Sequence, residues 1–190
     1  MKRSLEESPV STDLVYDGVF LKVRRDIARL PDGSTAAREY VVHPGAAAMV
    51  PLFDDGTVLV ERQFRYPVGC AFVEIPAGKI DPGETPLETA QRELVEETGY
   101  RAREWAFLTR LHPAIGFATE VMDVFLCRGL EAVEQSLDEG EFLELERLSV
   151  DALLGLLHRG ELTDVKTQIA VHWLDRMRRG DWPWPEFSAF

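Results

Sequence analysis

Residues 78–100 of this 190-residue chain concentrate the side chains that could do chemistry. If the segment is helical, at about 100° per residue Glu93, Glu96 and Glu97 fall within roughly one third of the circumference. Gathering like charges at i, i+3 and i+4 costs a few tenths of a kcal/mol per pair, and more where the face is partly buried. A hard cation reverses that sign. Carboxylate oxygens, a backbone carbonyl and water are the ligand set of Mg²⁺ or Mn²⁺, ions that can hold a diphosphate and activate water.

Local signals position these glutamates. Asp81-Pro82-Gly83-Glu84 fits a type II turn, with Pro at i+1 and a Gly that supplies positive φ at i+2. Thr85 then reads as an N-cap, Pro86 as N1 and Glu88 as the reciprocal partner of a capping box. The helix runs over Pro86–Thr98 and stops at Gly99, with Leu87, Ala90 and Leu94 as its apolar stripe. Helix and turn formation account for all of those residues but leave the carboxylates unexplained; the plain alternative is a solvated acidic face.

Elsewhere, alternation through Val19, Leu21 and Val23, the breaker Pro31-Asp32-Gly33-Ser34, and residues 39–43 predict an N-terminal β-hairpin. A second hairpin follows, of strands 46–53 and 57–64 around Asp54-Asp55-Gly56, apolar enough to be buried on two sides. Further strands are expected at 105–111, 121–127 and 141–145. Helices are expected over Val150–His158, closing at Gly160, and over 164–179, where Val165, Ile169, Trp173 and Met177 recur at i, i+4. Strands and helices without regular βαβ alternation favour a mixed sheet sandwiched by helices. The tail Asp181-Trp182-Pro183-Trp184-Pro185 cannot continue a helix, so Trp182 and Trp184 are expected to pack on the protein or on a partner subunit.

The length suits one core, without need of metal or disulfide merely to fold. With 21 Lys+Arg against 33 Asp+Glu, the net charge of −12 argues against nucleic acid or an anionic membrane as partner. An acidic chain with an anionic substrate wants a divalent cation. Cys70 and Cys127 have no CxxC spacing and read as reduced core residues of a cytosolic protein. The N-terminus lacks an apolar targeting core, and the longest uncharged run, 40–53, is too short to span a bilayer; a soluble, cytoplasmic protein is expected. His43, His158 and His172 show no metal-ligand spacing.

Gly78, five residues, Glu84, seven residues, then Arg92-Glu93-Leu94-Val95-Glu96-Glu97-Thr98-Gly99-Tyr100 match every fixed position of the Nudix box, and the chain resembles the Nudix hydrolase family. The lead-in Glu74-Ile75-Pro76-Ala77-Gly78-Lys79-Ile80-Asp81, with Arg38-Glu39-Tyr40-Val41 and Asp164-Val165-Lys166-Thr167, is similar to the ADP-ribose pyrophosphatase subfamily over residues 16–173. The resemblance implies an α/β/α sandwich with a mixed sheet (45–190), preceded by an N-terminal β-hairpin domain (1–44) that dimerises. It implies metal ligation by Glu93, Glu97, the carbonyl of Ala77 and Glu141, with Glu96 sharing the cluster and Arg92 orienting it. In Asp138-Glu139-Gly140-Glu141, Glu139 takes the place of the general base; the bland alternative is a solvated turn. Arg38 and Arg65 match diphosphate contacts, or else are surface ion-pair partners. Gly116 lies in the substrate loop, where Ile115 stands in place of the subfamily's usual Pro.

The implied activity is Mg²⁺-dependent hydrolysis of ADP-ribose to AMP and ribose 5-phosphate by a homodimer, with Mn²⁺ as a substitute. The alternatives are hydrolysis of another nucleotide sugar or dinucleotide, such as GDP-mannose or NADH, and a non-catalytic ADP-ribose sensor. Intact glutamates and the lack of a basic helix-turn-helix segment speak against the sensor.

Overall fold

The computed structural model describes residues 4–189. Contacts divide the chain into two compact units, the described part of Met1–Gly45 with His112–Val121, and Ala46–Leu111 with Met122 to the C-terminus.

The smaller unit is an antiparallel meander of β1 (Ser8–Asp17), β2 (Lys22–Arg29) and β3 (Thr35–Val42). The β2–β3 hairpin turns where the sequence breaker lies, with Gly33 at φ 88° and Asp32 accepting from the Ser34 N–H at 2.9 Å. β1 adds a strand to the expected hairpin. All ten of its residues are exposed, so no buried face imposes a readable alternation on it. Segment 112–121 joins this unit through β3: the Val41 N–H donates to the Phe117 carbonyl at 2.8 Å and the Thr119 N–H to the Val41 carbonyl at 3.0 Å.

The larger unit holds an eight-stranded mixed sheet between helices, an α/β/α sandwich. Its strands are β4 (Ala46–Leu52), β5 (Thr57–Arg65), β6 (Cys70–Glu74), β7 (Ala77–Lys79), β8 (Tyr100–Leu111), β9 (Met122–Ala132), β10 (Leu143–Ser149) and β11 (Ser188–Ala189). The order is β10-β5-β4-β9-β8-β11, with β6 on β5 and β7 on β4. β4 runs parallel to β9, and the other pairs are antiparallel. Six of the seven β4 residues are buried, as a near-continuous apolar run at the centre of a two-faced sheet requires.

Helix α1 (Pro86–Thr98) packs on one face. There Ala90 and Leu94 meet Ala47, Met49, Trp105, Phe125 and Cys127. Helices α2 (Val150–His158) and α3 (Val165–Arg178) cover the other face, through Leu153, Ala170, Val171, Leu174 and Met177 against Val58, Val60, Val124 and Leu126.

Several expectations are corrected. The 46–53 and 57–64 strands turn at Gly56, yet β4 meets β5 only at Leu52↔Val58, because β9 and β7 take its hydrogen-bonding edges. In α3 the buried side is Lys166, Thr167, Ala170, Val171, Leu174 and Met177, while Val165 is exposed; a polar pair inside the buried face rotates the stripe away from the apolar i, i+4 pattern. Cys70 is exposed at the start of β6, and only Cys127 is buried. In the tail, Trp182 stacks edge-on against Trp173 with ring centroids 4.6 Å apart. Among the described residues, no helix is long and apolar enough to cross a membrane.

Candidate active site

α1 is held at both ends as its sequence dictates. The Thr85 side chain accepts from the Glu88 N–H at 3.3 Å and the Glu88 carboxylate from the Thr85 N–H at 2.7 Å. Gly99 closes the helix in the left-handed region, φ 66°, its N–H donating to the Val95 carbonyl at 2.9 Å. Three bonds then tie the following loop to that end of α1: Gln135 to the Glu97 carbonyl, the Ser136 N–H to the Glu96 carbonyl at 3.1 Å, and the Val133 N–H to the Gly99 carbonyl at 2.8 Å. The same loop continues into Glu139 and Glu141.

Arg92 is the hub of the helix's acidic face. Its Nε and Nη2 grip Glu84 bidentately at 2.9 and 3.0 Å, and its Nη1 donates to Glu93 at 2.8 Å and Glu96 at 2.9 Å. Thr89 adds a third bond to Glu84, at 2.8 Å. These bonds hold the Glu84 carboxyl down at about 2 and push the Arg92 guanidinium further up. The fork thereby fixes the turn before α1 to the carboxylates on it.

Gly78, on β7, faces that cluster. A Cβ there would lie 1.9 Å from the Glu93 carboxyl, so only glycine lets the strand approach this glutamate. Next to it, the Ala77 N–H donates to the Glu97 carboxylate. Glu97 is 3% exposed and its Oε2 has no hydrogen-bond partner.

Two further glutamates complete the site. Glu61 on β5 and Glu74 on β6 stand directly opposite each other across the strands, both buried. Glu74 is satisfied by Arg65, at 2.8 and 2.9 Å, and by buried Lys166; although burial raises its pKa, these partners hold the carboxyl below its ordinary range. Both Glu61 oxygens are without a partner. Burial, then repulsion from Glu61, Glu93 and Glu141, pushes Glu97 up to about 9. Burial pushes Glu61 up to about 7, with Lys166 and Arg65 opposing and Glu74 and Glu141 assisting. Glu93 is also raised, first by burial.

This is an unneutralised oxygen site. Its donors are carboxylates, with no His or thiol among those named, which suits a hard divalent cation. The orphaned Glu97 oxygen supplies a buried acceptor for such an ion. As the side chains stand, no three acidic, His or Cys groups among the described residues already close on one point. A cavity of about 690 Å³ at the β4–β5 turn, lined by Phe53, Arg128, Trp184 and Phe187, contains none of these glutamates.

Residues 42–168 match the NUDIX domain, and residues 8–41 the nucleoside diphosphate sugar hydrolase N-terminal domain. The chain belongs to the Nudix family. It is 38% identical over 174 residues to the ADP-ribose pyrophosphatase of Bacillus subtilis (strain 168), covering 90% of this chain and 94% of that protein. It is also 38% identical over 176 residues to the methanol dehydrogenase activator of Bacillus methanolicus, covering 92% and 95%. A crystal structure of an ADP compounds hydrolase shares the fold, with a TM-score of 0.83 at 23% identity over 95% of this chain and 98% of that one.

The Nudix fold brings together Ala77, Arg92, Glu93, Glu96, Glu97 and Glu141, the last through its charge on Glu61, Glu93 and Glu97. Glu139 is exposed on the neighbouring turn, without a partner among the described residues. Arg65 is bound to Glu74. Arg38 and Gly116 belong to the smaller unit, where Arg38 pairs bidentately with Glu7 at 2.9 and 2.7 Å and both residues line a cavity of about 400 Å³. Glu61 escaped the sequence reading. Its signal is a carboxylate directly after the apolar run Val58-Leu59-Val60, since a fully buried Glu is rare unless paired.

Two outcomes follow from this geometry. In Gly78→Ala the new methyl meets the far end of a flexible side chain, so Glu93 moves aside: circular dichroism and unfolding temperature should change little, while Mn²⁺ affinity by calorimetry falls at least tenfold. The raised carboxyls set a pH dependence. The folded state binds more protons than the unfolded one from the ordinary carboxylate range near 4.5 up to about 9, so stability falls as pH rises through that window. The unfolding temperature in EDTA should therefore drop between pH 5 and 9, and Mg²⁺ should restore it most at the alkaline end.

Proposed function

We propose that this protein hydrolyses the diphosphate of ADP-ribose to AMP and ribose 5-phosphate, using Mg²⁺, with Mn²⁺ able to substitute. The observation that carries the reading is the buried Glu97, one oxygen of which has no partner, lying in the field of Glu61, Glu93 and Glu141. The name and near full-length match of the Bacillus subtilis relative support the substrate.

In this reading Glu93, Glu97, Glu141 and the Ala77 carbonyl hold the cation. Bound there, the ion neutralises diphosphate oxygens and lowers the pKa of a water. Arg92 ties Glu93 and Glu96 to the turn before α1 by charge-assisted hydrogen bonds, which fixes the helix face from which the ligands reach the ion. Glu139, exposed on a loop tied to α1, takes the proton of the attacking water as its oxygen bonds phosphorus. The bond from phosphorus to the bridging oxygen breaks, and one phosphate leaves with that oxygen. Arg65 is held by Glu74 through Nε and Nη2, which leaves Nη1 for a phosphate oxygen. Arg38 and Gly116 of the smaller unit are assigned to substrate contact.

The protein is further proposed to act as a cytoplasmic homodimer. The smaller unit by itself exposes Val10, Leu14, Val15, Tyr16 and Phe20, an apolar surface that a second copy would cover. Sedimentation should give twice 21.5 kDa.

The deciding assay measures AMP and sugar phosphate released from ADP-ribose, GDP-mannose, NADH and diadenosine polyphosphates, with Mg²⁺ and with EDTA. ADP-ribose should be turned over fastest, only with Mg²⁺, and Glu97→Gln should lose at least a hundredfold in turnover while keeping its fold. Preference for another substrate moves the specificity and retains the chemistry. Full turnover by Glu97→Gln at saturating Mg²⁺ rejects the mechanism.

A further inference from the structure

Strand β5 alternates its faces. Val58 and Val60 pack with residues of α2 and α3, which turns Leu59, Glu61 and Gln63 toward the opposite face of the sheet, the one on which α1 packs against β4. Glu61 is wholly withdrawn from solvent, and neither carboxylate oxygen has a hydrogen-bond partner; Gln63 Oε1, two residues on, is orphaned as well.

A buried carboxylate left in that state is costly unless something neutralises it. The nearby cations are engaged elsewhere. Lys166 binds Glu74 and Asp164, and Arg65 spends its fork on Glu74. The residue directly across the strand pair is Glu74, a like charge, an arrangement that destabilises a sheet. Glu97 and Glu141, the other charged groups that act with it, are negative as well. A leucine at this position would close the layer without any of these costs, so packing does not explain the glutamate. An oxygen-seeking cation does.

We infer that Glu61 is a further oxygen donor of the cation site, reaching it from the sheet as Glu93 and Glu97 reach it from α1 and Glu141 from the loop. The inference rests on the reading of that cluster as a divalent-cation site. It gives the site a rigid floor, because at Glu61 β5 is paired on both edges, with Glu74 of β6 and Leu145 of β10, whereas Glu141 is carried by a loop.

The test is Mn²⁺ binding by calorimetry and electron paramagnetic resonance at pH 8, with unfolding temperature in EDTA, on the full chain, Glu61→Gln and Glu97→Gln. Glu61→Gln should bind Mn²⁺ about 10–100-fold more weakly, the range found when groups supporting a metal site are removed. Its unfolding temperature in EDTA should equal or exceed that of the parent, since a neutral amide of the same shape replaces an unpaired buried charge. Parental Mn²⁺ affinity in Glu61→Gln overturns the inference. So does a lower unfolding temperature in EDTA, or failure to fold, either of which makes Glu61 the structural counter-charge of Lys166 and Arg65. Glu97→Gln separates the two levels: if it too binds Mn²⁺ like the parent, the cation reading itself falls.

Discussion

Burying Glu61 and Glu97 within reach of each other, with Glu93 and Glu141 adding to the same field, is the constraint to which the larger unit answers. Other carboxylates of the larger unit are neutralised locally. Glu84 and Glu96 are met by Arg92, Glu74 by Arg65 and Lys166, and Asp123 by Arg110 at 2.6 and 2.9 Å. The Glu61 oxygens and Glu97 Oε2 stay without a partner, and a chain of net charge −12 has no surplus of cations to send there. The repulsion is tolerated because the core on both sides of the sheet fixes the backbones that carry it.

Arginine is what allows the arrangement to be ordered. Its planar fork spans Glu84 while Nη1 serves Glu93 and Glu96; a lysine, a point charge on a flexible stem, could not hold the turn and the helix face in one geometry. Gly78 sets the complementary limit. The Glu93 carboxyl occupies the space of a β-carbon, so the strand that carries Ala77 approaches α1 closely enough for its amide to meet Glu97. These two residues, conspicuous in sequence for their spacing, act through one distance.

Locally encoded features were readable from sequence and the non-local ones were not. The bounds of α1 and α2, the capping box, Gly83 at φ 95° and the left-handed Gly99 follow from residues within a few positions of one another. β1 escaped because an exposed strand carries no alternation, and the pairing of β4 with β9 and β7 depends on chain that arrives some thirty or more residues later. The joining of 112–121 to the smaller unit rests on Val41 and His43 meeting Phe117 and Thr119, at 2.8 to 3.0 Å, contacts that composition does not announce. In the site, the glutamates of α1 were legible because a helix places i, i+3 and i+4 together. Glu61 was not, because hydrophobic periodicity treats a glutamate in a strand as its solvent face, whereas that face is covered here.

That covering has a consequence for how an anionic substrate would be attracted. The acidic chain supplies no long-range pull on a diphosphate, and the arginines closest to the cluster, Arg92 and Arg65, are already engaged by carboxylates at 2.8 to 3.0 Å. On the proposed chemistry the bound cation must therefore supply most of the attraction, and it can do so only because the carboxylates beneath it cannot neutralise one another. The same repulsion that costs the fold stability thus makes substrate affinity conditional on the ion, and it centres that affinity on Glu61 and Glu97.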